Sequence, residues 1–172
     1  HSMGGKAAMT LALLCPQYVK KLVIVDIAPV TYLHSQLDFI LALETVNLVS
    51  VNSRKELDTQ LSSRINDPAL RAFFSQNVDF SAQNDKKWCF NLKSLRKNMS
   101  AIMGFPELKE RYLGPTLVIR GDLSEYVSDR YLSAIENYFP NYKLSTINGT
   151  GHWLHFERRE EFSDHLAKFL SS

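Results

Sequence analysis

Hydrophobic and polar positions follow three rhythms along this chain. Lys6-Ala7-Ala8-Met9-Thr10-Leu11-Ala12-Leu13-Leu14 is rich in helix formers and is broken at Pro16, which predicts a helix with no lead-in. Leu22-Val23-Ile24-Val25 is a continuous, mostly β-branched run between Lys20-Lys21 and Asp26, as expected of a strand buried on both faces of a parallel sheet. The first unit therefore reads turn, helix, strand.

From about Tyr32 the texture changes to amphipathic helices. Ser53-Arg54-Lys55-Glu56 has the form of a capping box, in which hydroxyl and carboxylate satisfy orphan amides, and Leu57, Leu61 and Ile65 follow at i, i+4, i+8. Asp67-Pro68 predicts a second start, with an aspartate N-cap, proline at the first helical position and a stripe of Leu70, Phe73 and Phe74. Val78, Phe80, Trp88 and Phe90 flank Gln83-Asn84-Asp85 as a small hairpin, and Leu92, Leu95, Met99 and Ile102 predict one more helix. This insertion of roughly 80 residues is far longer than an ordinary connection in an α/β unit.

The alternating pattern resumes with the strand Pro115-Thr116-Leu117-Val118-Ile119. Next come a helix capped by Ser128 and carrying Tyr131, Leu132, Ile135 and Phe139, a strand from Lys143 to Ile147, and a terminal helix marked by Phe162, Leu166 and Phe169. Strands alternating with helices argue an α/β fold with a parallel sheet, interrupted by a helical cap. The expected division is 1–31 core, 32–113 cap and 114–172 core.

Composition narrows the function. The 45% hydrophobic content of the 172 residues is ample for a core, and 20 Lys+Arg against 18 Asp+Glu leave a formal charge of +2, too little for a nucleic-acid partner. The longest stretch free of charge, Ala7 to Val19, contains Pro16 and falls short of the roughly 18 apolar residues of a spanning helix. Cys15 and Cys89 lie in no metal-binding spacing and read as small buried apolar residues, which makes a reducing compartment the default and leaves no metal or other cofactor to expect.

The candidate chemistry begins at the first residues. His1-Ser2-Met3-Gly4 matches four of the five positions of the G-x-S-x-G nucleophile elbow, where a serine sits on a sharp turn into a helix, and Gly4, Gly5, Ala7 and Ala8 supply the small neighbours that crowding there requires. The amide of Met3, at the helix start, would face the oxygen of a tetrahedral intermediate. A serine nucleophile needs a base. Of His1, His34, His152, His155 and His165, only His152 lies in a glycine-containing loop beyond a strand's carboxyl end, where ligands bind in open α/β sheets. His155 reads first as a helix cap, and otherwise as a contact behind His152 or to substrate, and His165 as a partly buried residue of the last helix. The third member should be a carboxylate at the same edge that orients the imidazole; Asp26 follows one strand, and Asp122 and Glu125 follow another. Either choice keeps the chain order serine, acid, histidine. His1, Phe39, Phe105 and Trp153 are expected to line the substrate pocket, with Trp88, Met99 and Met103 as further apolar candidates.

His1-Ser2-Met3-Gly4-Gly5-Lys6, Val25-Asp26-Ile27-Ala28-Pro29-Val30, Leu113-Gly114-Pro115-Thr116-Leu117, Ser124-Glu125-Tyr126-Val127 and Gly151-His152-Trp153 together resemble the α/β-hydrolase superfamily. Within it they are similar to the group containing the animal abhydrolase-domain-containing protein eleven and small bacterial esterases. The resemblance covers essentially the whole chain, as the C-terminal portion of a family member from the elbow onward. In many members the acid stands three residues after the glycine that ends the strand following the cap; that position here is Ser124. Related small esterases carry serine there and an aspartate after the preceding strand, which maps onto Asp26 and leaves Ser124 structural or hydrogen-bonded to the triad.

The resemblance implies a serine hydrolase of esterase or lipase type with triad Ser2, Asp26 and His152. The implied substrates are carboxylic esters, extending to diacylglycerol-like lipids, with no cofactor. It also implies a mitochondrial location and an association with a 2-oxo acid dehydrogenase complex for animal members, and a cytoplasmic location for bacterial ones. The 172 residues alone are expected to be inactive and to self-associate, for want of preceding strands and a second oxyanion donor. The alternative is a non-catalytic binding or scaffold protein with the same fold.

Overall fold

The computed structural model describes residues 1–81 and 86–172. It divides into two compact units, His1–Thr31 with Gly104–Ser172, and Tyr32–Met103. In chain order the first unit opens with helix α1 (Ser2–Leu14), a single 3-10 turn at Pro16–Tyr18, and strand β1 (Leu22–Val25). The second unit holds α2 (Leu37–Glu44), α3 (Arg54–Ser62), α4 (Pro68–Gln76), β2 (Val78–Asp79), β3 (Lys87–Trp88) and α5 (Leu92–Met103). The first unit resumes with β4 (Thr116–Gly121), α6 (Leu132–Tyr138), β5 (Tyr142–Ile147), α7 (Leu154–Glu157) and α8 (Arg159–Ser171).

The first unit is built on a three-stranded parallel sheet in the order β1-β4-β5. Leu22 pairs with Thr116 and Val25 with Ile119 on one side of β4, while Thr116 pairs with Tyr142 and Gly121 with Ile147 on the other. The continuous apolar runs of β1 and β4 serve two faces. Val25, Leu117, Ile119 and Ile147 pack with Leu154 and with Phe169 of α8, joined by the half-buried Val23 and Phe162. Period-two alternation sends Ile24 and Val118, both fully buried, to the opposite face. There α1 crosses so closely that a side chain on Gly5 would collide with Ile27. Gly4 meets nothing and Ala7 is exposed, so the crowding foreseen for all four small residues falls on Gly5. At the edge, β5 alternates only weakly and exposes Lys143 and Leu144.

The second unit has its own core of Ile40, Leu43, Val51, Leu57, Leu61, Ile65, Val78, Leu92 and Met99. Ser53 Oγ accepts the amide of Glu56, and Glu56 Oε2 reaches back to the amide of Asn52 rather than that of Ser53. Asp67 caps α4 by accepting from Ala69 at 2.8 Å. In α4 the packed stripe is Leu70 and Phe74, since Phe73 is 44% exposed. β2 and β3 pair antiparallel as the hairpin expected, and the turn assigned to Gln83-Asn84-Asp85 lies outside the described residues.

Three expectations change. Ser128 precedes a 3-10 turn at Asp129–Tyr131 and makes no side-chain cap bond. Cys15 is half-buried and Cys89 exposed, both free thiols, instead of buried apolar fillers. The chain rejoins the first unit at Gly104, not after residue 113, because the 104–113 segment is bonded to that unit. Arg111 Nε donates to the Asn137 carbonyl at 2.8 Å, the Tyr112 amide donates to Tyr138, and the buried Tyr112 hydroxyl donates to Val19, each at 2.9 Å.

Lys6 holds the two points at which the chain leaves and re-enters this unit. Its buried ammonium donates to the carbonyls of Val30 at 2.9 Å and Gly104 at 2.7 Å. Burial pushes its pKa down to about 8. The unfolded chain holds this proton up to about 10.5, so between these values the unfolded state binds more protons and folding becomes more favourable as pH rises. Lys6→Met should lower stability by about 1–3 kcal/mol at neutral pH by stranding two carbonyls. The stability difference between wild type and variant should then widen between pH 8 and 10.5 in denaturant titrations; a difference that narrows would refute the assignment.

Candidate active site

All three strands of the parallel sheet end on one edge, and the candidate residues converge there. Asp26 follows β1 directly, its amide continuing the ladder to the Ile119 carbonyl at 2.8 Å, and it is fully buried. Its φ of 48° is left-handed, a conformation that costs a non-glycine residue free energy and turns the carboxylate toward the ends of the neighbouring strands. Oδ2 accepts from His152 Nδ1 at 2.8 Å and from the Ser124 hydroxyl, and Oδ1 accepts from the amide of Gly121 at 3.3 Å. Since the carboxylate only accepts, His152 carries its hydrogen on Nδ1, and the lone pair of neutral imidazole is on Nε2.

The loop bearing His152 is tied down residue by residue. Gly149 turns the chain at φ 70°. Thr150 donates its amide to Asp122 Oδ1 at 3.2 Å and its hydroxyl to the Ile147 carbonyl at 2.7 Å, while its carbonyl accepts the Leu123 amide at 3.0 Å. Gly151 donates to Glu157 Oε2 of α7 at 3.0 Å. The carbonyl of His152 accepts from His1 Nε2 at 2.8 Å, which assigns the His1 proton to Nε2. Asp122 thus braces the loop, and Glu125 faces Arg130 at 3.7 Å with its side chain 85% exposed. Of the three carboxylates weighed from sequence, only Asp26 touches the imidazole.

Ser2 begins α1 with φ 50°, the chain's second left-handed non-glycine residue among those described. A left-handed non-glycine residue at a helix entry is a strained backbone position. Met3 follows in the first turn, where helix amides have no carbonyl one turn earlier to bond. The His1 ring lies 4.5 Å from that of His152, 5.2 Å from that of Trp153 and 4.5 Å from that of His155. His1 and Trp153 are therefore at the site. Phe105 packs on Tyr138 at 5.5 Å, near the end of α6 that leads to the opposite edge of the sheet, and Phe39 packs in the second unit's core, 6.1 Å from Phe74.

His155 lies within α7, which Trp153 precedes as N-cap, so it is no helix cap; its Nδ1 is buried without a hydrogen-bond partner and burial lowers its pKa. His165 sits on α8 with Nδ1 2.8 Å from Ser145 Oγ. Sequence reasoning gave Tyr126 no role, although its ring lies 4.1 Å from that of His152. The signal available was its place two residues after Ser124. Among the described residues no cluster of His, Cys, Asp or Glu could hold a metal, and no helix is long and apolar enough to cross a membrane.

A parallel sheet covered by helices on both faces, with a left-handed serine at a helix start and a buried carboxylate–imidazole pair at its carboxyl edge, places the molecule among α/β proteins that carry their chemistry at strand ends. Comparison with known proteins makes this specific. The family profile described as alpha/beta hydrolase fold matches residues 1–159, and the chain belongs to that family. It is 38% identical to the mouse (Mus musculus) sn-1-specific diacylglycerol lipase ABHD11, covering 99% of this chain and 57% of that protein. It is 34% identical to a putative esterase/lipase of Haemophilus influenzae, covering 99% of this chain and 58% of that protein. Among solved structures a marine microorganism esterase superposes with a TM-score of 0.92 at 36% identity, covering 98% of this chain and 67% of that one. The chain thus spans a little over half the length of the two curated relatives named.

The tightest joint in the site is Gly121, where a Cβ would collide with the carbonyl oxygens of Thr150 and Gly151 and with the Thr150 hydroxyl. Gly121→Ala should destabilise the protein by about 1–3 kcal/mol, the usual range for overpacking, by forcing the His152 loop away from β4. An unchanged calorimetric melting temperature would contradict this packing.

Proposed function

We propose that the chain carries the nucleophile, base and acid of a serine esterase or lipase acting on carboxylic esters. The observation that carries the reading is the 2.8 Å bond from His152 Nδ1 to the fully buried Asp26, at the edge where the strained Ser2 starts α1. In this mechanism His152 Nε2 takes the proton of Ser2 Oγ as that oxygen bonds to the acyl carbon. The imidazolium returns the proton to the departing alkoxide, which leaves as the alcohol. A water then attacks the acyl-enzyme, His152 accepting its proton and passing it to Ser2 as the carboxylic acid leaves. Asp26 fixes the imidazole tautomer and offsets the charge of the imidazolium. The Met3 amide stabilises the oxyanion, aided by the positive end of α1.

The names of the relatives support an acyl ester substrate of lipid character: the mouse relative is a diacylglycerol lipase and the marine one an esterase. The helical unit Tyr32–Met103, inserted after β1, serves in this reading as the cap.

Fluorophosphonate labelling of the protein in its full natural length tests the nucleophile. Ser2→Ala should abolish labelling, and undiminished labelling would rule Ser2 out. Asp26→Asn should lower kcat by about 10⁴, as in other triads where the acid is converted to its amide. If Asp122→Asn has that effect and Asp26→Asn is silent, the acid is misassigned.

A further inference from the structure

We propose that Tyr126 is a positioning residue for His152, its ring holding the imidazole against Asp26 and favouring the imidazolium that forms during turnover. The inference rests on the reading of His152 as the base. The two ring centroids are 4.1 Å apart with 31° between the planes, close and shallow enough for the π face of Tyr126 to meet the imidazole. A cation within about 6 Å of an aromatic face is attracted by its quadrupole, whereas a neutral imidazole gains far less. The contact therefore strengthens when His152 takes the proton, and an interaction that strengthens in that way accelerates the step.

Tyr126 is aimed by the group that also holds the acid. Ser124 Oγ donates to Asp26 Oδ2 and accepts the Tyr126 amide at 3.3 Å, so one hydroxyl registers both the carboxylate and the tyrosine backbone. On the other side Val127 is fully buried and its carbonyl accepts from Arg120 at 2.9 Å. The ring is thus carried on a short segment anchored at both ends. The other titratable groups around His152 are Asp26 beyond β1, His1 at the start of α1 and His155 on α7, with Glu157 on the adjoining Gly151 amide. Of the ring contacts to His152, that of Tyr126 at 4.1 Å is shorter than that of His1 at 4.5 Å.

The test measures kcat and KM for a soluble p-nitrophenyl ester against pH in the protein at its full natural length. Tyr126→Phe keeps the ring and should stay within about threefold of wild type. Tyr126→Leu should lower kcat about tenfold with KM little changed, and should move the acid limb of the kcat profile down by about half to one pH unit. The direction follows from the loss of the ring's attraction for the imidazolium. The deshielded Nδ1 proton resonance of His152 should persist in Tyr126→Phe and weaken in Tyr126→Leu. Should Tyr126→Leu fail to fold, pentafluorophenylalanine at position 126 keeps the shape and reverses the quadrupole, and must still lower the acid limb. An unmoved limb in the leucine or fluorinated protein overturns the proposal, as does a Tyr126→Phe protein as impaired as Tyr126→Leu. If Ser2→Ala abolishes labelling while the position-126 variants are silent, this inference alone fails. If Ser2→Ala labels and turns over fully, the hydrolase reading fails first.

Discussion

The whole edge of this sheet is organised around one buried carboxylate. Asp26 has no exposed surface, and a carboxylate taken out of water needs hydrogen-bond donors on both oxygens or the fold loses the cost of its desolvation. Its donors come from three places far apart in the sequence: the amide of Gly121 at the end of β4, the hydroxyl of Ser124 in the next turn, and the imidazole of His152 in the loop after β5. Satisfying one residue therefore positions the ends of all three parallel strands. The left-handed backbone at Asp26 is the local cost of this arrangement.

A second constraint lies one layer out. A long insertion between β1 and β4 separates two strands that must pair residue for residue, from Leu22 with Thr116 to Val25 with Ile119. Closing such a loop costs entropy that grows only slowly with its length, so the insertion is tolerated if its ends are fixed. Lys6 fixes them through the carbonyls of Val30 and Gly104, and the Tyr32 amide donates to the Met103 carbonyl at 3.0 Å. A buried ammonium is an expensive clasp, and its position one turn after Ser2 places it on the helix that presents the serine.

Much of the candidate site was legible because its residues need unusual surroundings. A serine before two glycines at a helix start, an aspartate ending a β-branched run and a histidine between glycine and tryptophan each stand out locally. The ambiguity among Asp26, Asp122 and Glu125 could not be resolved locally, since all three follow a buried strand and any could face a base. The family resemblance pointed to Asp26, and the pairing in space turns Asp122 to the Thr150 amide and Glu125 to Arg130. The apolar candidates are a different case. Apolar character alone does not distinguish pocket lining from core packing, and Phe39 and Phe105 pack on Phe74 and Tyr138.

What the sequence determined by itself was periodicity and punctuation: the strands, the capped helices of the insertion, the α/β class and the candidate site residues. These follow from nearest-neighbour physics, in which side-chain alternation, caps and prolines act within a few residues. The tertiary structure decided which carboxylate meets the imidazole, that Ser124 and Tyr126 share one hydroxyl's hydrogen bonds, that Gly5 rather than Gly4 is the crowded glycine, and that the chain rejoins its core at Gly104. Each of these depends on groups brought together from distant parts of the chain, so no local pattern encodes them; they emerge when buried polar groups find their partners and when helix and sheet close-pack.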